Sequence, residues 1–120
     1  MAQRARINDF GKAAERFAAK FLSSKGYKII GRNFRSKFGE IDLIALKESA
    51  LIFIEVKARR SLRFGMPQEA VTGAKINKII KTGEFYIQNH PDVPERVRIE
   101  VLSLFFDDNG VNDAVIIPVD

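Results

Sequence analysis

Residues 51–57 read LIFIEVK and are apolar almost without interruption until Glu55. A short apolar run of this kind, rich in β-formers, is typical of a strand that is covered on both faces. Residues 40–46 also favour a strand, and the four residues 47–50 between the two segments suit a hairpin connection. The chain is therefore expected to build a sheet whose centre is buried on both sides.

Two helices and three further strands are predicted around this hairpin. Apolar residues recur at helical spacing from Phe10 to Phe21, with Asn8 or Asp9 as a cap and Gly26 as the helix stop. A helical segment at residues 67–88, weakened at its glycines, and strands at residues 27–35, 96–106 and 111–119 complete the pattern. The order α-β-β-β-α-β-β predicts an α/β fold with a central mixed β-sheet flanked by α-helices, as a single domain over residues 1–120.

The hairpin brings charged residues together on one face of the sheet. If the turn is centred on residues 47–50, Asp42 faces Glu55 and Glu40 faces Lys57. The two-residue period of a strand then puts all four side chains on the same side. Another turn length would shift this register.

Two opposed carboxylates repel unless a partner neutralises them. A Mg²⁺ or Mn²⁺ ion is such a partner, because hard cations take oxygen ligands and leave positions for water and phosphate. Such an ion polarises a phosphoryl oxygen and activates a water molecule. Lys57, on the same face as Asp42 and Glu55, would orient that water and offset developing negative charge. The alternative is a solvent-facing strand end with an ion pair between Glu40 and Lys57.

The charge distribution indicates a polyanionic partner. Residues 1–60 carry 14 Lys and Arg against 6 Asp and Glu, whereas residues 61–120 carry 6 against 9. Basic residues precede and follow the hairpin, and they are expected to contact nucleic-acid phosphates: Arg32, Arg35, Lys37, Arg59, Arg60 and Arg63. The alternative for these residues is simple solvation. Solvation is also the expectation for Lys75, with a phosphate contact as the alternative. The absence of Cys and the single His exclude thiolate zinc sites, cysteine nucleophiles and paired-histidine sites.

Several segments together resemble a known family. They read GYKIIGRNFR, GEIDLIA, FIEVKAR and FGMPQEAV, and they are similar to the YraN-like family of small bacterial predicted endonucleases. The resemblance runs from about Phe10 to Tyr86, with weaker similarity to Ser103. Asp42 followed by Glu55-Val56-Lys57 also resembles the D…(D/E)-x-K signature of restriction-endonuclease-like nucleases, and the family is related in fold to archaeal Holliday-junction resolvases.

This resemblance implies a restriction-endonuclease-like core and a set of site residues. Asp42 and Glu55, with the Val56 carbonyl, would bind the metal ion, and Lys57 would be catalytic. Glu15 matches the catalytic Glu that resolvases carry on their first helix, although a surface position is an equal alternative. Gln68 matches the polar helical residue that such nucleases place near the metal, and it is expected to contact the nucleic acid there.

The expected activity is metal-dependent phosphodiester hydrolysis by an endonuclease acting on branched or structured DNA. A homodimer is compatible with cutting both strands. The alternatives are a non-catalytic nucleic-acid-binding module with the nuclease fold and a domain that binds an acidic protein. The sequence shows no signal peptide and no membrane span, so a cytoplasmic protein is expected.

Overall fold

The structure is a computed structural model that describes the backbone of residues 2–60 and 72–119, and side chains from residue 11 onwards within these ranges. Its elements follow the predicted order of an α/β fold. They are α1 (Ala2–Ser24), β1 (Lys28–Ser36), β2 (Gly39–Lys47), β3 (Ala50–Arg59), α2 (Gly73–Gln88), β4 (Val97–Asp107) and β5 (Gly110–Val119). Neither described helix has the length and apolarity that a membrane span requires.

The strands form one mixed sheet in the order β1-β2-β3-β4-β5. Neighbouring strands are antiparallel except for β3 and β4, which run parallel. The connection between those two strands contains α2, because parallel neighbours need a crossover rather than a tight turn. The predicted central mixed sheet is therefore confirmed, with β3 in the middle.

Both faces of β3 are buried, as its apolar sequence predicts. Ile52 and Ile54 pack in a cluster with Ala18 and Leu22 of α1. The alternate residue Phe53 packs in a second cluster, which includes residues of α2. Because successive strand residues point to opposite faces, the two helices cover opposite sides of the sheet.

Close packing of α2 on the sheet explains a glycine in the middle of that helix. A Cβ atom at Gly83 would overlap the ring of Phe53. Gly83 weakens the helix in isolation, but it lets the helix backbone approach the sheet. At the N-terminus of α2, the Thr72 hydroxyl accepts a hydrogen bond of 3.2 Å from the Lys75 amide.

Three predicted boundaries are wrong. The first helix begins at Ala2 rather than near Phe10, because the preceding Ala, Gln and Arg residues are good helix formers. No continuous helix runs from residue 67 to 88, because Thr72 is extended and caps a helix that begins at Gly73. The predicted start at residue 67 lies outside the described residues. β3 continues beyond its predicted end at Lys57 to Arg59, because β4 pairs with it as far as Phe105.

Candidate functional site

The site forms where β2 and β3 part. The predicted register is confirmed from the turn up to Leu43, which lies opposite Ile54. At the next position the regular ladder ends, and the Asp42 side chain binds the neighbouring strand instead. Its Oδ2 atom accepts a hydrogen bond of 2.8 Å from the Val56 amide. The predicted proximity of residues 42 and 55 is thus retained, although a side chain replaces the main-chain pairing.

Pairing is also interrupted on the other side of Asp42. Asp42 in β2 and Asn33 in β1 lie opposite each other but do not pair. The residues on either side of them do pair. Asn33 has a φ of 50°, in the left-handed region that Asn tolerates better than most residues. Asp42 therefore occupies an irregular position in an otherwise regular sheet, a type of distortion common beside functional sites.

Glu55 is held by two lysines from different elements. Its Oε1 atom lies 3.4 Å from Nζ of Lys57, two residues along the strand. The same oxygen lies 3.7 Å from Nζ of Lys75, in the first turn of α2. Glu55 and Lys57 share the face of Phe53, which α2 covers, and this is why a helical lysine reaches them.

The carboxyl group of Asp42 has an unusual proton affinity. Burial raises its pKa to about 6, and the negative charges of Glu55 and Glu40 act in the same direction. The hydrogen bond from Val56 and the charge of Lys57 oppose the shift without cancelling it. The folded protein without metal therefore holds Asp42 partly protonated just below neutral pH. A cation at this position would favour the ionised form.

The two lysines differ in how strongly they hold their protons. Burial acts to lower the pKa of Lys57, but contact with Lys75 and the charge of Glu55 outweigh burial and raise it. The pKa of Lys75 is lowered, because its contact with Lys57 and its partial burial disfavour a second ammonium ion. Lys57 is therefore the more firmly protonated of the two groups that neutralise Glu55.

Glu40 forms a different ion pair from the one considered in the alternative interpretation. Its Oε1 atom lies 3.5 Å from Nε of Arg35, its cross-strand neighbour in β1. Both side chains are solvent-exposed, with 76% of Arg35 and 38% of Glu40 accessible. Lys57 pairs with Glu55 instead.

The oxygen atoms near Asp42 suit a hard divalent cation. Asp42 and Glu55 each have a second carboxylate oxygen besides the one engaged in the contacts above. The amide and carbonyl of one strand residue point to the same side, so the Val56 carbonyl faces β2 together with its amide. Two carboxylates and a carbonyl resemble the partial protein shells that Mg²⁺ completes with water and phosphate. In the described part of the chain, no group of three Asp, Glu, His or Cys side chains converges.

Glu15 lies apart from this arrangement. It is exposed on α1. That helix packs on the sheet face of Ile52 and Ile54, whereas Glu55 and Lys57 point to the opposite face. The structure therefore does not bring Glu15 into contact with the carboxylate pair.

The predicted phosphate contacts are distributed around the site. Arg32, Arg35 and Lys37 are exposed along β1 and the turn that follows it. Arg59 is half-buried at the end of β3, and Arg60 is exposed next to it. Arg63 and Gln68 lie outside the described residues.

The sequence interpretation misses the contact of Lys75 with Glu55, and the expected solvation of Lys75 is only partial. A signal for it exists in the order of the elements. When a helix connects two parallel strands, its N-terminus lies near the carboxyl end of the first strand. The first turn of α2 therefore lies beside Glu55, and a long cationic side chain there is able to reach it.

Comparison with known proteins identifies relatives along most of the chain. A family model described as "Uncharacterised protein family UPF0102" matches residues 14–104. A UPF0102 protein of Dictyoglomus turgidum is 43% identical over 102 residues, which cover 85% of this chain and 86% of that protein. A UPF0102 protein of Syntrophomonas wolfei is 41% identical and covers 83% of this chain and 87% of its own length.

A third relative, from Symbiobacterium thermophilum, is 44% identical over 94 residues, covering 78% of this chain and 80% of that protein. The matched residues 14–104 contain β1 to β3 and α2, and hence the whole carboxylate and lysine cluster. These matches confirm the YraN-like family that the sequence resembles. The chain belongs to the uncharacterised protein family UPF0102.

Proposed function

We propose that the chain is a Mg²⁺- or Mn²⁺-dependent endonuclease that hydrolyses phosphodiester bonds in DNA. One observation carries the proposal: Asp42 and Glu55 meet at an interrupted position of the sheet, with the ammonium groups of Lys57 and Lys75 on Glu55. Carboxylates that bind a cation, next to ammonium groups that bind phosphate oxygens, are the groups that phosphodiester hydrolysis requires.

Each residue has a distinct task in this proposal. Asp42, Glu55 and the Val56 carbonyl would hold the cation. When bound, the cation supplies a Lewis acid that polarises a phosphoryl oxygen and lowers the pKa of a water molecule. The Val56 amide fixes the Asp42 carboxylate in position through its hydrogen bond to Oδ2. Lys57 donates hydrogen bonds to the oxygens on which negative charge develops.

Lys75 extends the positive charge of the site towards α2. Its ammonium group lies on the same Glu55 oxygen as that of Lys57, so both are placed for a phosphate close to the carboxylates. The helix N-terminus on which Lys75 lies adds a favourable field for an anion. The two lysines would therefore hold the phosphate group next to the cation.

DNA is the proposed substrate because basic residues continue away from the site. Arg32, Arg35 and Lys37 are exposed on β1 and its turn, next to the strand that carries Asp42. Exposed cations along an edge strand and its turn suit a phosphate backbone. A homodimer would place two such sites on the two strands of a duplex.

A second candidate is a non-catalytic nucleic-acid-binding module, and one observation favours it. Glu55 already has two cationic partners, so the site is neutralised without a metal ion. A binding module would retain nucleic-acid affinity and show no Mn²⁺-dependent stabilisation. Calorimetric titration with Mn²⁺ separates the two candidates.

Cleavage of a DNA panel tests the proposal directly. Purified protein is incubated with linear, nicked, flapped and four-way DNAs, in Mg²⁺, in Mn²⁺ and in EDTA. The expected result is metal-dependent cleavage by the parent and its loss in Asp42→Asn and Glu55→Gln, each purified in parallel. Cleavage that persists in both variants would indicate a contaminating nuclease and contradict the proposal, as would no cleavage of any substrate.

A further inference from the structure

A groove of about 470 Å³ lies beside α2, between the second half of that helix and the turn that joins β1 and β2. Two lysines, two phenylalanines and two other polar residues line it: Lys37, Phe38, Lys81, Glu84, Phe85 and Gln88. None of these except Lys37 belongs to the proposed phosphate contacts described above. The groove therefore requires an explanation of its own.

The groove presents two aromatic rings to solvent. The Phe38 side chain is 38% exposed and that of Phe85 is 40% exposed, whereas Phe53 in the core is 2% exposed. Exposed rings that share one groove are unusual, because large apolar side chains gain free energy from burial. Such rings are the usual surfaces on which nucleic-acid bases stack.

The two walls of the groove are held in position by packing. The Phe85 ring contacts that of Phe34, with 6.2 Å between the ring centroids. On the other wall, the position of a Cβ atom at Gly39 would lie 3.4 Å from the Thr82 hydroxyl and 3.5 Å from Cβ of Lys78. The turn and the helix are thus in direct contact, and the groove exists before any ligand binds.

The positive charge of the groove favours an anionic partner. Nζ of Lys37 lies over the Phe38 ring, 5.3 Å from its centre, so a cation covers one face of this exposed aromatic side chain. Lys81 lies on the opposite wall, with the exposed Lys78 one turn before it and Glu84 as the acidic lining residue. Flat apolar faces next to ammonium groups complement a base and its phosphate.

We propose that this groove binds an unpaired nucleotide, with its base packed against the rings of both Phe38 and Phe85 and its phosphate held by Lys37 or Lys81. A base in a duplex already stacks on its neighbours, so the groove favours a single-stranded segment. The inference deepens the proposed function and rests on it in taking nucleic acid as the ligand. What the inference adds to the proposed function is a preference for unpaired bases.

The groove and the carboxylate site are separated by a distance that one strand of DNA can span. Lys75 and Phe85 are ten residues apart on α2, which corresponds to about 15 Å at the helical rise. This distance equals about four stacked nucleotides. Exposed Lys78 lies between the two sites on the same helix. A single strand held in the groove would therefore reach the carboxylates a few nucleotides away.

Binding in EDTA tests the inference without any cleavage step. Fluorescence anisotropy is measured with a labelled 15-nucleotide oligothymidine and with a blunt duplex of equal length. The variants are Phe85→Ala and Phe38→Ala. The control is Ile80→Ala, because Ile80 is also 40% exposed on α2 but does not line the groove.

The two phenylalanine variants are expected to lose between about fivefold and a hundredfold in single-strand affinity, the range that stacking on one ring supplies. Their duplex affinity should change by less than about twofold, and Ile80→Ala should change neither. A 2-aminopurine base in the oligonucleotide reports stacking directly: its fluorescence should fall on binding to the parent and not on binding to Phe85→Ala.

Melting curves from circular dichroism establish that each variant is folded. Phe38→Ala, in the turn, keeps the test decisive should Phe85→Ala lose its contact with Phe34 and unfold. Unchanged single-strand affinity, or an equal loss for single strand and duplex, would overturn the inference. A concentration-dependent dimer that Phe85→Ala abolishes would assign the groove to a second copy of the chain and also overturn it. Binding without cleavage in Mg²⁺ would refute only the proposed function.

Discussion

Replacing Asp42 with Asn separates the contribution of this residue to stability from its contribution to metal binding. The Asn side chain has the same shape, and its carbonyl oxygen is able to accept the hydrogen bond from the Val56 amide. The substitution therefore removes the charge and little else. In the metal-free protein that charge is unfavourable, because burial raises the pKa of Asp42 to about 6.

The pKa shift fixes the direction and scale of the effect. Between the ordinary value of 3.8 and about 6, the folded protein binds a proton at Asp42 that the unfolded chain has lost. The contribution of Asp42 to the free energy of unfolding therefore falls as pH rises through this window, and this contribution is constant above it. A rise of about two in the pKa of Asp42 corresponds to at most ~3 kcal/mol in the free energy of unfolding. In EDTA at pH 8, Asp42→Asn should be more stable than the parent by up to this amount, and at pH 4 this difference should shrink to less than ~1 kcal/mol.

Metal reverses the order. A cation present at a thousand times its dissociation constant stabilises the parent by about 4.1 kcal/mol, which exceeds the ~3 kcal/mol that the buried charge of Asp42 costs. The Asn variant has lost an anionic ligand and should gain much less from the same concentration of Mn²⁺. A purely structural Asp would behave differently, because its loss would lower stability in EDTA and in Mn²⁺ alike.

The assay is urea denaturation of both proteins at pH 4 and pH 8, with EDTA and with excess Mn²⁺ at pH 8. Asp113→Asn is the matched control, because Asp113 also lies in a strand and its Oδ1 accepts a hydrogen bond of 3.0 Å from a backbone amide. Asp113 is exposed, so its variant should follow the parent in all conditions. Equal Mn²⁺ stabilisation of the parent and Asp42→Asn, or none in either, would refute the assignment of Asp42 as a ligand.

Four further outcomes are expected. Lys57→Ala should lower the cleavage rate about 10²- to 10³-fold, while anisotropy shows little change in DNA affinity and calorimetry shows Mn²⁺ binding at least as tight as in the parent, because Glu55 loses a competing cation; unchanged cleavage would remove Lys57 from the mechanism. Lys75→Ala should tighten Mn²⁺ binding by up to about fivefold in calorimetry, because Glu55 loses a competing cation. Gly83→Ala should lower the free energy of unfolding in urea by ~1–3 kcal/mol, since the new methyl group displaces the Phe53 ring. The logarithm of the duplex-DNA association constant should fall against log salt with a slope of about −0.9 per phosphate contact, and a flat response would contradict binding along β1.

The sequence was sufficient to predict the hairpin and its register, for a physical reason. A short connection and a two-residue side-chain period leave few ways to align two strands with buried faces. The partner of Glu40 was not predictable from the hairpin alone, because each residue of an inner strand has neighbours on two sides. Arg35 lies in β1, on the other side of β2 from its hairpin partner β3, and it forms the ion pair with Glu40.

Contacts between distant elements were the least predictable part of the site. Lys75 reaches Glu55 only because the crossover places the start of α2 beside the end of β3. Phe85 lies off the buried face of α2 that contains Ile79 and Tyr86, and it lines a groove only because the turn after β1 lies beside the helix there. In both cases the position of one helix relative to the sheet decides the environment, and side-chain periodicity carries no information about that position.

The place of β1 at the edge of the sheet has a consequence for the behaviour of the protein in concentrated solution. An edge strand presents amide and carbonyl groups that another strand can pair with, and charged side chains oppose such pairing by mutual repulsion. Arg32 and Arg35 are exposed on this strand, so they protect the molecule from self-association whatever else they bind. Neutralising them would remove that protection, and aggregation would then resemble a loss of DNA affinity in a binding assay. Reversal of both charges, in Arg32→Glu combined with Arg35→Glu, keeps like charges on the strands of different molecules and is the cleaner experiment.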